Sequence, residues 1–197
     1  MKPKEATDER IPKYSFNVAE NKEYLRKMAL ASDAEYFLFV DADVVLPEHA
    51  ISEFVLQLTA KEPDPTLLKM AEEITGKKSV FIPKKAIAGY YPMKDGNEYI
   101  MARFVADNTV YMLTVVEKSL TKIDFAGLGC LIISRDVLEK VTIRGGCDKS
   151  IKRTDGLEVL TDDSIDFCDQ IFEQGVQLWA DGSVVCKHLK EVANGVR

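Results

Sequence analysis

An apolar run, Tyr36-Phe37-Leu38-Phe39-Val40, ends abruptly in Asp41-Ala42-Asp43, two acids spaced i, i+2. Aromatic and branched residues over this length predict a buried β-strand, and the run is far too short to cross a membrane. The strand would deliver Asp41 and Asp43 to the carboxyl edge of a sheet, where open α/β sheets bind ligands. Two ionised carboxylates at the mouth of a hydrophobic strand are costly to leave unpaired. They call for a cation, most simply Mg²⁺ or Mn²⁺ bridging to phosphate. The competing account is a strand end whose acids cap the next helix and face water.

A chain of 197 residues, 46% of them hydrophobic, can bury one substantial core and reads as a single domain spanning residues 1–197. The formal net charge of -6 and the scatter of lysines argue against nucleic acid as a partner, which would require a basic stripe. No apolar stretch reaches transmembrane length, and Met1-Lys2-Pro3-Lys4-Glu5 lacks the apolar core of a signal peptide, so a cytoplasmic location is expected. Cys130, Cys147, Cys168 and Cys186 form no CxxC pair, which excludes the usual zinc and thioredoxin patterns. They read as small buried side chains, with a Cys168–Cys186 bridge as the alternative.

Residues 1–16 are polar, charged and proline-containing, and read as a mobile arm. Asn17-Val18-Ala19-Glu20 has the form of a capping box, with Leu25, Met28 and Ala29 following at helical spacing into the opening strand. Beyond Asp43, Pro47 leads into a helix with Ile51, Phe54, Val55 and Leu58 at i, i+3, i+4, i+7, completing a βα unit. A third helix carries Leu67, Leu68, Ala71 and Ile74 and ends at Gly76. Strands are predicted at 79–82 and 86–90, with a hairpin of 99–105 and 109–116 turning at Asp107-Asn108. A strand over 123–134 is interrupted by Gly127 and Gly129, and a short helix covers 135–141. Residues 142–158 read as a loop and possible lid, followed by a helix over 164–174 that Gly175 stops and strands at 176–179 and 184–188.

Three further groups of residues bear on chemistry. Thr161-Asp162-Asp163 stands at the start of the last helix, where amides and dipole favour carboxylates; capping needs only one acid, leaving the other free to act as a general base. His188 closes the apolar Val184-Val185-Cys186 strand, and imidazole is a common ligand for ions such as Mn²⁺, although a lone histidine there is more often a packing residue; His49 reads as surface. Phe81, Tyr90, Tyr91 and Trp179 are candidates to stack on a sugar or base, with the core as their default. Lys84, Lys85, Arg103, Lys149, Lys152 and Arg153 are candidate phosphate partners, with a solvated surface as theirs.

Taken in order, Tyr36 to Asp43, Ala88-Gly89-Tyr90-Tyr91-Pro92, Gly127 to Ser134, Asp162 to Cys168 and Gly175 to Asp181, closing at His188, resemble the GT-A glycosyltransferases, especially the small family-2-like members, including those of crenarchaeal viruses. The resemblance implies an α/β GT-A fold, a Rossmann-like nucleotide-diphospho-sugar transferase with a mixed central sheet flanked by helices. Asp41 and Asp43 would hold Mn²⁺ or Mg²⁺ against the diphosphate of a nucleotide-sugar donor, and His188 would complete the metal shell. Arg26 would help hold the nucleotide. Asp163 would be the base that deprotonates the hydroxyl of a protein, glycan or lipid acceptor, with inversion at the anomeric carbon. A viral member would work in the host cell cytoplasm.

Family members open with a strand, a helix and a second strand that cradle the base, whereas here only a short arm precedes the Asn17 helix, so the N-terminal nucleotide-binding part is expected to be reduced. Aligning on Phe167-Cys168 sets Asp163 opposite the family's Glu, and aligning on Thr161 makes Asp162-Asp163 the acidic pair; Asp163 is acidic in both registers. Two other readings compete. A phosphohydrolase of the HAD type would use Asp41 as nucleophile, Ser134 and Lys152 for phosphate and Asp162-Asp163 for metal. A worn-down glycosyltransferase fold would bind sugar or phosphate without turnover.

Overall fold

The computed structural model describes residues 18–78, 81–92, 99, 101–106, 109–117, 119–145, 150–153, 158–160 and 163–189. The arm at 1–16, the Asn17 cap, the Asp107-Asn108 turn, Cys147, Lys149 and Asp162 lie outside them.

In chain order the elements are α1 (Val18–Leu30), β1 (Tyr36–Val40), β2 (Val44–Val45), α2 (Ala50–Leu58), α3 (Pro65–Thr75), β3 (Ala86–Tyr90), β4 (Met101–Ala106), β5 (Thr109–Met112), β6 (Thr121–Ile123), β7 (Phe125–Ala126), β8 (Cys130–Ser134), α4 (Arg135–Leu138), β9 (Ser150–Arg153), β10 (Glu158–Leu160), α5 (Asp163–Glu173), β11 (Leu178–Val185) and β12 (Lys187–His188). The central sheet is mixed, ordered β1-β8-β3-β11-β6; a second sheet runs β10-β9-β5-β4-β7, and β12 pairs with β2. Strands β1 and β3 are both antiparallel to β8, and β11 is parallel to β3, so β1, β3 and β11 point the same way. Their carboxyl ends therefore share one edge.

Strand periodicity divides the core into two layers, because successive side chains face opposite sides of the sheet. Ala86, Ala88, Tyr90, Leu131 and Ile133 join Ile165, Phe167, Cys168 and Ile171 of α5 on one face. Ile87, Cys130 and Ile132 join Ala50, Phe54 and Leu58 of α2 on the other. The molecule is thus a central mixed sheet with helices on both faces. Among the described residues no helix is long and apolar enough to cross a membrane.

Several local expectations change. The opening strand is not enclosed: β1 is an edge strand with partly exposed side chains, Val40 at 42%. Leu25 and Met28 of α1 face outward, and the helix docks instead through Ala19 and Arg26. Helix α3 begins on an Asp64 cap and ends at Gly76, whose positive φ of 65° only glycine adopts without strain, yet it buries none of its residues. The segment read as a loop over 142–158 contains β9, and residues 81–82 are not strand. The postulated Cys168–Cys186 bridge is absent: the Cys168 thiol donates to the Ala126 carbonyl, while Cys186 lies 3.5 Å from Cys130 on the α2 face.

Candidate functional site

The shared edge of β1, β3 and β11 gathers the candidate residues. Asp41 follows β1 directly, its N–H donating to the Gly129 carbonyl at 3.1 Å, so the strand pairing holds the backbone of the acidic turn. The same register turns the N–H and C=O groups of Tyr36, Leu38 and Val40 away from β8, toward the free edge. Beyond Asp43, Val44 pairs with His188 through β2 and β12, and the Leu189 N–H donates to the Asp43 carbonyl at 2.7 Å. A two-residue ladder thus fixes His188 beside Asp43.

The contact is direct: His188 Nε2 lies 3.0 Å from Asp43 Oδ2, and Nδ1 lies 2.9 Å from the Pro92 carbonyl. The Pro92 carbonyl can only accept, so Nδ1 carries the N–H and Nε2 is the ring nitrogen that faces Asp43. A histidine whose other N–H is given to a backbone carbonyl is oriented as metal-binding histidines are. Its side chain is 10% exposed, while that of Asp43 is 43% exposed and open to a ligand. The Tyr91 ring meets His188 edge-on at 6.1 Å between centroids, and its hydroxyl accepts from the Gly129 N–H at 3.1 Å. Gly129 is where backbone must approach closely: a Cβ there would lie 2.8 Å from both Asp41 Oδ2 and Tyr91 Cζ. This gives the glycine that interrupts the predicted strand a steric reason.

On the other side of Asp41 stands a residue that sequence reasoning passed over. Lys22 of α1 places Nζ 3.6 Å from Asp41 Oδ1 and 3.5 Å from Asp163 Oδ2. Asp163 opens α5, its side chain is 13% exposed, and Oδ2 is buried without a hydrogen bond. A groove of about 580 Å³ runs from Asp41 along β1, lined by Lys22, Leu25, Arg26, Leu38, Val40 and Leu128 among others. A lysine on an amphipathic helix carries no sequence signal of such a role.

Arg26 borders the same groove, but its guanidinium is engaged elsewhere. It donates to both carboxylate oxygens of Glu23, at 2.7 and 2.9 Å, and to the Leu138 carbonyl at 3.0 Å. Burial pushes the Glu23 carboxyl up, but hydrogen bonds from Arg26 and the Ile143 amide, with the charges of Arg26 and Lys27, outweigh it and hold the group below its usual range.

The other candidates lie apart. Trp179 sits at the start of β11, away from the carboxyl edge, with Lys84 and Lys122 over its ring at 5.8 and 5.6 Å. Lys85 pairs with Asp136. His49 Nε2 bonds the Ser183 carbonyl at 2.8 Å. Ser134 pairs with Tyr36 at the far end of β1, roughly 17 Å from Asp41 along the strand.

No protein-family model matches the chain, and neither does any curated protein. Among solved structures the chain is similar to A197 from STIV, a crenarchaeal virus protein, at 18% sequence identity and a TM-score of 0.49, over 90% of this chain and 70% of that one.

Asp41, Asp43 and His188 do not converge as one cage: among the described residues no three His, Cys, Asp or Glu side chains do. What the edge offers is one carboxylate–imidazole pair, with a second carboxylate set against Gly129. That donor set fits Mg²⁺ or Mn²⁺, which takes one or two carboxylates and fills its shell with phosphate oxygens and water.

Proposed function

We propose that this chain is a metal-dependent glycosyltransferase with a GT-A type of site, transferring a sugar from a nucleoside-diphosphate donor to an acceptor hydroxyl in the cytoplasm. The observation that carries the reading is the 3.0 Å Asp43–His188 contact at the carboxyl end of β1, beside a groove large enough for a nucleoside. Asp43 and His188 would hold the divalent ion, with Asp41 contributing from the Gly129 side. When bound, that ion neutralises charge growing on the leaving diphosphate.

The chain's own residues supply the rest. The Gly129 carbonyl and the β2–β12 ladder hold Asp41 and His188 in place on backbone bonds, so little reorganisation accompanies reaction. Asp163 Oδ2 is ion-paired with Lys22 but makes no hydrogen bond, and an incoming hydroxyl would give it one. Asp163 then takes the hydroxyl proton as the oxygen attacks the anomeric carbon from the face opposite the leaving group, which inverts configuration. The acceptor is a hydroxyl on a protein, glycan or lipid. Arg26, tied to Glu23 and Leu138, acts as a wall of the groove rather than as a hand on the nucleotide.

Against the HAD reading, antiparallel pairing puts Ser134 at the opposite end of β1 from Asp41. The test is sugar transfer or donor hydrolysis from a panel of UDP- and GDP-sugars with Mn²⁺. Turnover by the unaltered protein that falls at least a hundredfold in Asp163→Asn, with donor affinity kept, is the expected result. Donor binding without any turnover would make the chain a binding module.

A further inference from the structure

We infer that Lys22 is the anion-binding residue of the groove, its ammonium taking a diphosphate oxygen of the donor. This deepens the glycosyltransferase reading and rests on it for the identity of the ligand.

Lys22 carries three N–H donors, its side chain is only 16% exposed, and its nearest partners stand at 3.5 and 3.6 Å. Those distances suit ion pairing and lie beyond the hydrogen-bond range, so among the described residues the head group has charge partners and no hydrogen bond. Lys22 Nζ is not among the buried unbonded atoms, so its donors keep some contact with water that a ligand oxygen can replace. The acceptor side shows the same deficit, since Asp163 Oδ2 is buried and unbonded.

The ammonium is thus suspended between two carboxylates at the end of a groove that it lines. A phosphate oxygen arriving along that groove would supply the acceptor the ammonium lacks, and charge-assisted bonds of this kind are among the stronger polar contacts. The flexible four-carbon stem lets the head group turn toward such an oxygen without moving α1. A cation at Asp43 and Asp41 would favour the same exchange, because Asp41 would then have a partner other than Lys22. The groove's other cation is already committed to Glu23.

The experiment measures calorimetric binding of inorganic pyrophosphate, UDP and uridine, each with Mn²⁺, to the unaltered chain, Lys22→Gln and Lys22→Arg. Lys22→Gln should bind pyrophosphate and UDP at least tenfold more weakly and uridine as before, while Lys22→Arg, which keeps the charge, stays within about threefold. Equal pyrophosphate affinity in Lys22→Gln and the unaltered chain would overturn the inference, as would an unaltered chain that takes no pyrophosphate. Because Lys22→Arg preserves the charge between Asp41 and Asp163, its recovery separates a binding role from a loss of folding. The sugar-transfer assay stands apart: pyrophosphate binding with no transfer leaves Lys22 in its role and removes the glycosyltransferase reading.

Discussion

At the scale of the residue, Gly129 gives the sharpest contrast between packing and site geometry. Gly129→Ala should drive a Cβ against Asp41 Oδ2 and Tyr91, weakening Mn²⁺-dependent UDP binding at least tenfold by calorimetry. Gly89→Ala places its Cβ 2.6 Å from the Cys130 sulfur and 2.8 Å from Val184, in the layer beneath. That change should cost about 1–3 kcal/mol by urea denaturation and leave UDP affinity largely intact. The Cys130 thiol there is pushed well above its usual range by its hydrogen bond to Cys186 and by burial, so it packs as a neutral group.

Helix α1 is held at the element scale by its Glu23–Arg26 pair, which joins it to the end of α4 and to Ile143. Arg26→Ala should destabilise the chain by about 3 kcal/mol in urea, because it strands a half-buried carboxylate and the Leu138 carbonyl, and Arg26→Lys should recover only part, lacking the fork that spans both. The depressed Glu23 fixes the sign of the acid dependence. Its contribution is present above the unfolded value near 4.5 and is lost as pH falls through the lower folded value. Denaturation midpoints of Glu23→Gln should therefore lie below those of the unaltered chain at neutral pH and converge with them as pH falls through the lowered folded value.

Elements whose identity is set locally were legible in the sequence: the β1 run, β3, the Gly76 end of α3, and α5 stopped by Gly175 with φ of 71°. Which face each helix buries was less so. In α1 the periodic Leu25 and Met28 point outward, because a short helix beside an edge strand docks through a small residue and one ion pair. Residues 142–158 hid β9 because strand pairing is a tertiary bargain that polar composition does not reveal.

Over the whole molecule, three strands run the same way, so that positions far apart in the chain emerge at one edge. Asp41, Asp43, Asp163 and His188 could be named as candidates because acids and histidines at element ends carry a chemical signal. Lys22 could not, since its place between Asp41 and Asp163 comes from where α1 lies. The resemblance gave Arg26 to the nucleotide; its bonds to Glu23 and Leu138 give it to the scaffold. Uptake of Mn²⁺, followed by the loss of its free paramagnetic signal as protein is added with UDP, tests the central pairing most directly. One tightly held ion per chain, weakened at least tenfold in both Asp43→Asn and His188→Ala, is the expected result; Mn²⁺ uptake that neither substitution changes, or no uptake at all, would contradict it.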